Sequence, residues 1–403
     1  MVAVFAWLDS SERDRRRTLD VIDLFKQRDT VDELGLGSVR DTVADVLAPG
    51  TSTIQTRARY FFFIPWIYMA LEARRGSGEK AATRARSAEI KLIPELVRTE
   101  DRNGVIGQLA GASLKRLPSS VYWAGLLRLG FRLFSGSRDY YHRHLDRSAR
   151  ANSPSESNDE PFDHVFRGNW NPHIPKAPDD FPSGASFDLT RAEAEFFREQ
   201  IRMHASGSLL HFLVEKGEHV EELDAPWRHV DVPHMPDKLQ QWLKDGQCYS
   251  ELMDGAQLLY NLLLAEKRGR ADWIADYKHF LHEWGAALES RLPVLREWNR
   301  SAFWFRLRFE NPNLPIGVER FSEAWINFVL AAPVPAAVID DPAARRMIAE
   351  RERTLKGNRA RLFSQPHLDL WGGASGTAPL NYRWRITRTI VNDIVAGSGR
   401  DHA

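Results

Sequence analysis

The sequence predicts a mainly α-helical protein with little β-structure: a multi-helix N-terminal domain carrying a helix-turn-helix pattern, then a helical C-terminal domain. Three observations carry this expectation. Apolar residues recur at three- and four-residue steps, the spacing of a single helix face. Capping-box signals open two of these runs, at Ser11–Asp14 and at Thr190–Glu193. Strand-type alternation occurs in one place, Trp304-Phe305-Arg306-Leu307-Arg308-Phe309, which predicts one short strand.

The elements follow in order. A first helix is expected over 10–26, with Leu19, Ile22 and Phe25 as its apolar stripe. A second spans 38–47 and stops at Pro49-Gly50. A third starts near Ser52 or Thr53 and runs to Arg75, kinked at Pro65. A loop from Gly76 re-enters a helix lasting to Val97. Helices over 104–115 and 119–131 flank the turn Arg116-Leu117-Pro118-Ser119, and the second resembles a recognition helix ended by Gly130. Residues 148–186 are a composition break, polar first and then Pro-rich. Helices resume over 191–204, 207–216, 236–244, 250–267, 273–290, 293–300, 318–331, 342–356 and 382–395. The resulting division is a basic helical domain (1–150), a Pro/Ser-rich linker (151–187), a helical domain (188–335) and a basic C-terminal helical segment (336–403).

Composition narrows the function classes. Of 403 residues, 43% are hydrophobic and 11% aromatic, with 13 Trp, enough for a sizeable core of large rigid side chains. The single cysteine, Cys248, rules out an internal disulfide and a multi-cysteine zinc site. The longest apolar run, 60–71, is too short to span a bilayer as a helix. The first eight residues lack a basic leader, so no signal peptide is expected, and the cytoplasm is the expected location.

The net charge of +1 is unevenly spread. Residues 57–150 carry 18 Lys and Arg against 8 Asp and Glu, and residues 151–250 carry 9 against 18. That asymmetry suits either an anionic partner for the N-terminal part or two domains that attract each other.

Standard catalytic fingerprints, among them the Walker loop, the nucleophile elbow and His-Glu-x-x-His, are missing. No catalytic residue, metal or cofactor is therefore assigned. The Gly-rich stretch 372–377 suits a phosphate or, with no lysine after it, a tight packing loop. His142, His144 and Asp146 suit a metal or acid–base site, or a plain basic surface segment. The acid pairs at 179–180, 221–222 and 340–341 read as solvated caps and loops.

The candidate nucleic-acid-binding residues are Gln55, Arg57, Arg59, Arg128, Arg132, Arg143, Tyr382, Arg383, Trp384 and Arg385. Arg57 and Arg59 precede a wholly apolar helix, so their guanidiniums reach either a backbone phosphate or a buried carboxylate such as Asp41 or Asp45. Arg128, Arg132 and Arg143 would lie near phosphates if the helix-turn-helix forms. Tyr382-Arg383-Trp384-Arg385 interleaves rings and cations, which suits base stacking or a docking C-terminal helix.

Several segments together carry a resemblance. They are Phe5-Ala6-Trp7-Leu8-Asp9, the stretches 20–25 and 50–60, Pro65-Trp66, and Pro118-Ser119-Ser120-Val121-Tyr122-Trp123. The stretches 255–261 and 370–376 and Tyr382-Arg383-Trp384 complete the set. The chain is similar in these to a bacterial domain-of-unknown-function family, number 6361. The resemblance implies one family unit along nearly the whole chain and an accessory role near nucleic acid, in phage-defence islands. It implies no catalytic residue.

The expected function is thus a non-catalytic accessory component of an antiviral defence or DNA-processing system. Its partners would be DNA or RNA at the basic N-terminal region, and other proteins of the same system. The rivals are a pure scaffold for a helicase or nuclease, using Trp298, Trp304 and Trp325, and a hydrolase around His142, His144 and Asp146.

Overall fold

The computed structural model describes residues 32–73, 80–151 and 168–400. The helix expected over 10–26 lies outside them. Among the described residues there are fifteen α-helices. They are α1 (Gly37–Leu47), α2 (Tyr60–Ala73), α3 (Ala81–Val97), α4 (Pro118–Arg128), α5 (Arg138–Ala151), α6 (Arg191–His204), α7 (Leu209–Lys216) and α8 (Asp237–Arg268). After these come α9 (Ala271–Glu289), α10 (Leu292–Arg296), α11 (Arg300–Glu310), α12 (Ile316–Ala331), α13 (Pro342–Lys356), α14 (Gln365–Asp369) and α15 (Trp384–Ser398). The only β-pairing among the described residues is an isolated antiparallel bridge between Arg132 and Trp170. No described helix is long and apolar enough to cross a membrane.

Local chemistry sets many of the boundaries. Thr190 and Glu193 form a reciprocal capping box at the start of α6, with bonds of 3.2 and 3.0 Å. Ser208 caps α7, and Gly217 ends it in the left-handed region at φ 68°. Asp341 accepts from the amides of Ala343 and Ala344 to open α13.

Four expectations are corrected. The alternating segment Trp304–Phe309 belongs to the helix α11, not a strand. Its buried residues Phe303, Trp304 and Leu307 form a helical stripe, and the Asn299 side chain caps it through Ala302. Residues 104–115 form turns and one short 3-10 turn at Gly111–Ser113, not a helix. Gly104, Gly107 and Gly111 there have φ of 93, 87 and 49°, which a helix does not allow. The helix-turn-helix therefore lacks its first helix. The third helix starts at Tyr60, because Gln55 folds its side chain onto Ser52 and Gly50 and holds the preceding residues in turns. The helices expected over 236–244 and 250–267 are one continuous helix, α8. Gly246 does not break it; a Cβ there would sit 2.9 Å from the Tyr382 ring, so glycine serves close packing.

The chain divides into two compact units. One comprises residues 1–43 and 241–382, the other residues 44–240 and 383–403. In the first, tryptophans pack on α8 and place their indole N–H groups on acceptors. Trp298 bonds Asp245 at 2.9 Å, Trp284 the Glu251 carbonyl at 2.7 Å, and Trp325 the Leu252 carbonyl at 2.9 Å. In the second, the apolar helix α2 is the centre. Phe61 and Phe62 pack on Phe131 and Phe197, and Phe63 stacks on Phe181 at 5.7 Å. Each such ring pair adds about 0.5–1.5 kcal/mol beyond area burial. Residues 168–187, from the segment expected as linker, are built into this core. The Asn171 amide bonds the Phe131 carbonyl at 2.9 Å, and Trp170 and Phe187 are buried.

Candidate functional site

The arginines ahead of α2 meet carboxylates, but not Asp41 or Asp45. Arg57 holds Asp393 of α15 through Nε and a terminal nitrogen at 3.0 and 2.8 Å, and also pairs with Asp101. Its guanidinium lies 4.6 Å from the Phe187 ring. Asp393 further accepts from the Ala58 amide at 2.8 Å. Burial pushes the Asp393 carboxyl above its ordinary pKa, against the opposing pull of Arg57. Arg59 is buried, bonded to Glu193 at 2.9 Å and to the Ser186 carbonyl at 3.1 Å. Asp41 is held by its neighbour Arg40, and Asp45 by Arg383 at 2.5 Å. Gln55 is buried in its turn.

The remaining candidates fall into two groups. Arg132 is buried, with bonds to the carbonyls of Trp123 and Gly136 and its guanidinium 4.4 Å from the Trp123 ring. Burial lowers its pKa to about 10. Tyr382 and Trp384 are 2% and 1% exposed, and their polar atoms bond the carbonyls of Gly246 and Leu223. Neither ring presents a face to solvent. Arg383 serves Asp45 and the Thr51 carbonyl. By contrast Arg128, Arg143 and Arg385 are exposed. Arg128 reaches the His204 carbonyl and Arg143 the Asp139 carbonyl. The C-terminal segment is thus a docked helix: Ile386, Ile390, Val391 and Ile394 are buried along one stripe of α15.

Other motifs are absorbed by packing. In the Gly-rich stretch, Ser375 exchanges two backbone bonds of 2.9 Å with the Asn261 side chain, and its hydroxyl donates to Glu33 at 2.8 Å. His142 stacks on Tyr68 with its Nε2 3.1 Å from the phenol oxygen, while Asp146 accepts from the Ala81 amide at the head of α3. Among the described residues no group of three His, Cys, Asp or Glu could hold a metal. Cys248 is buried, and burial raises its thiol to about 12, which makes it a structural thiol. Glu89 is also buried; desolvation raises its carboxyl to about 7 even though it accepts from the Ser119 amide and hydroxyl at 2.8 and 2.7 Å.

One groove in the second unit combines rings with cations. It encloses about 380 Å³ between α2, α3 and the Phe181-Pro182 segment. From α2 come Trp66, Ile67, Ala70 and Leu71; from α3 come Arg84, Ser87, Ala88 and Lys91, at positions i, i+3, i+4 and i+7 of one helix face. Trp66 and Phe181 meet edge to face at 5.2 Å, and the Trp66 indole is pinned to the Pro175 carbonyl at 2.7 Å. Behind it, the Arg59 guanidinium lies 5.9 Å from the Trp66 ring. The lining holds two cations and no acid. Its volume suits a single planar ring with an attached anionic group.

Sequence reasoning missed this groove. Its α3 face was legible as spacing within the excess-cation stretch, but Phe181 came from the segment expected as linker.

No curated protein and no solved structure matches the chain. The sequence model of a family of unknown function, DUF6361, matches residues 2–398, and the chain belongs to that family.

Proposed function

We propose that the protein is a non-catalytic accessory component that contacts nucleic acid, within a bacterial antiviral-defence or DNA-processing assembly. The groove of Trp66, Phe181, Arg84 and Lys91 carries this reading. Phe181, half-buried over the buried Trp66, can stack on a base, and the exposed Lys91 can meet the adjoining phosphate, the parts of a single-strand binding surface. The exposed Arg128, Arg143 and Arg385 are secondary candidates for phosphate contact. The other candidate residues are engaged in packing instead, Tyr382 within the first unit and the rest within the second. The scaffold rival loses Trp325, which is fully buried, and keeps Trp298 and Trp304 only as the walls of a cleft.

The test is fluorescence anisotropy with labelled single- and double-stranded DNA and RNA at low and moderate salt. The expected result is binding that weakens as salt rises, because released counterions drive it. Lys91→Glu weakens binding to every sequence and lowers the salt slope by about 1 per lost phosphate contact. Phe181→Ala weakens single-strand binding more than duplex binding. A folded sample that binds nothing at low salt, or binds unchanged in both variants, overturns the proposal.

A further inference from the structure

A series of three aromatic rings runs from the core of the second unit to its surface. Tyr141 of α5 is fully buried, against Tyr68, Trp123 and Trp170. Phe134, in the segment before α5, meets the Tyr141 ring edge to face at 5.6 Å. Tyr140 then lies on Phe134 with ring centroids 5.8 Å apart and planes 12° apart, an offset stack. Tyr140 ends the series with 48% of its surface exposed. The segment that carries Phe134 is fixed in place. The Leu133 and Phe134 amides both donate to the Asn169 carbonyl, at 2.8 and 3.3 Å, and Arg132 donates to the Phe134 carbonyl. The Ser137 hydroxyl accepts from the Tyr140 amide at 3.1 Å.

A single exposed tyrosine is ordinary. A stack that is rooted in the core and ends half-open at the surface is different: a further planar ring extends it, at little ordering cost because the platform is already held. The neighbouring charge indicates which ring. Arg143 is exposed three residues beyond Tyr140, on the same face of α5. Its Nε bonds the Asp139 carbonyl of its own helix at 3.4 Å, and it forms no ion pair among the described residues. Arg138 is engaged by the hydroxyls of Ser119 and Ser120. The acid of that turn, Asp139, stands in the first turn of α5, where it complements the helix dipole. A planar ring with an anion beside it is a nucleobase with its phosphate. The groove of the same unit offers the same combination of ring and cation, so one class of ligand serves both.

We infer that Tyr140, backed by Phe134 and flanked by Arg143, is a second base-stacking site for single-stranded nucleic acid. It rests on the nucleic-acid reading proposed above, but it shares no residue with the lining of the groove.

The experiment is photo-crosslinking of the full chain to a single-stranded oligothymidylate carrying 5-iodouracil, with the labelled residue mapped by tandem mass spectrometry and anisotropy titrations run beside it. The expected label is on Tyr140, and it persists in Phe181→Ala, because the two sites share no residue. Tyr140→Ala is expected to raise the single-strand Kd at least about fivefold and to affect duplex less. Tyr140→Phe keeps the ring and should stay within about twofold of the wild type, which separates stacking from a role of the hydroxyl. Arg143→Glu should weaken binding and lower the salt slope by about 1. Circular dichroism checks that α5 survives in Tyr140→Ala; if it does not, the wild-type label and Arg143→Glu decide. Labelling confined to the groove, with Arg143→Glu and a folded Tyr140→Ala binding like the wild type, overturns the inference and leaves the groove standing. A label on Tyr140 with unchanged binding in the groove variants supports the inference and removes the groove instead. A folded wild type that neither binds nor crosslinks overturns both.

Discussion

Arg59 and Glu193, 134 positions apart in sequence, meet at 2.9 Å with both side chains buried. One comes from the cation-rich stretch and the other from the anion-rich one, and both belong to the same unit. Arg57 of the first stretch is likewise neutralised by Asp393, and Glu222 of the second by Arg388, both partners coming from the C-terminal helix of that unit. The uneven charge along the chain is therefore partly cancelled by folding, within one unit. This is why the case for nucleic acid rests on one groove and not on the charge count.

The Arg59–Glu193 contact predicts a large cost for removing one partner. Arg59→Met leaves Glu193 buried opposite an apolar side chain, which should cost about 3–5 kcal/mol in urea unfolding. Adding Glu193→Met should recover part of that loss, since no unpaired charge remains, although the capping bond to Thr190 is also lost. A single variant within 1 kcal/mol of the wild type, or strictly additive costs, would contradict a tightly coupled pair.

The local parts of the fold were legible because their causes are local. Thr190 and Glu193 announce α6 within four residues, and Asp341-Pro342 announces α13. The nature of the contacts at Arg57 and Arg59 was also legible as one of two alternatives, a carboxylate or a phosphate. Their partners were not. Asp393 lies 336 positions from Arg57, and nothing in its local sequence marks it. Gly246 shows the same limit from the other side. Its composition suggests a break, and only the ring of Tyr382, brought by a distant segment, explains why a glycine sits inside α8. The groove needed Phe181, whose Pro-rich surroundings lack any periodicity to place it.

Tyr122 predicts a second effect, on the turn that presents Arg57. Its hydroxyl accepts from the amides of Thr56 and Arg57 at 2.8 and 3.0 Å and donates to the Arg57 carbonyl at 2.9 Å. Tyr122→Phe removes one oxygen and leaves three backbone groups short of a partner. The expected loss is about 2–3 kcal/mol, against about 1 for an ordinary hydrogen bond. Thermal unfolding of the variant checks it, and a loss below that ordinary value would mean the turn is held by other contacts.

Gly125 and Gly317 predict opposite signs for the same substitution. Both lie in helices, where Ala is worth up to about 1 kcal/mol over Gly. At Gly125 a Cβ would lie 2.3 Å from the Gly50 carbonyl oxygen, a backbone atom that cannot swing aside. Gly125→Ala should therefore destabilise by about 1–3 kcal/mol. At Gly317 the nearest atom is the flexible end of Arg351 at 3.5 Å. Gly317→Ala should be neutral or stabilising, by at most about 1 kcal/mol. Paired urea titrations decide it; equal effects would mean the close approach at Gly125 relaxes freely.

Glu89 predicts a pH dependence with a definite sign. Burial favours its neutral form, so the carboxyl that ordinarily titrates near 4.5 titrates near 7 in the folded protein, although Arg138 pulls it the other way. Between those values the folded state binds more protons than the unfolded state, so this group's contribution to stability is greatest below about pH 4.5. It declines as pH rises through about 7, by on the order of 3 kcal/mol. Asp254, half-buried, has its carboxyl raised to about 7 by desolvation and adds a slope of the same sign, so the wild-type curve alone does not identify Glu89. Glu89→Gln keeps an acceptor for the Ser119 amide and cannot ionise. Relative to the wild type it should gain stability steadily from pH 5 to pH 8 in urea titrations. A difference between the two proteins that stays constant over that range would show that Glu89 ionises at its ordinary pH despite its burial.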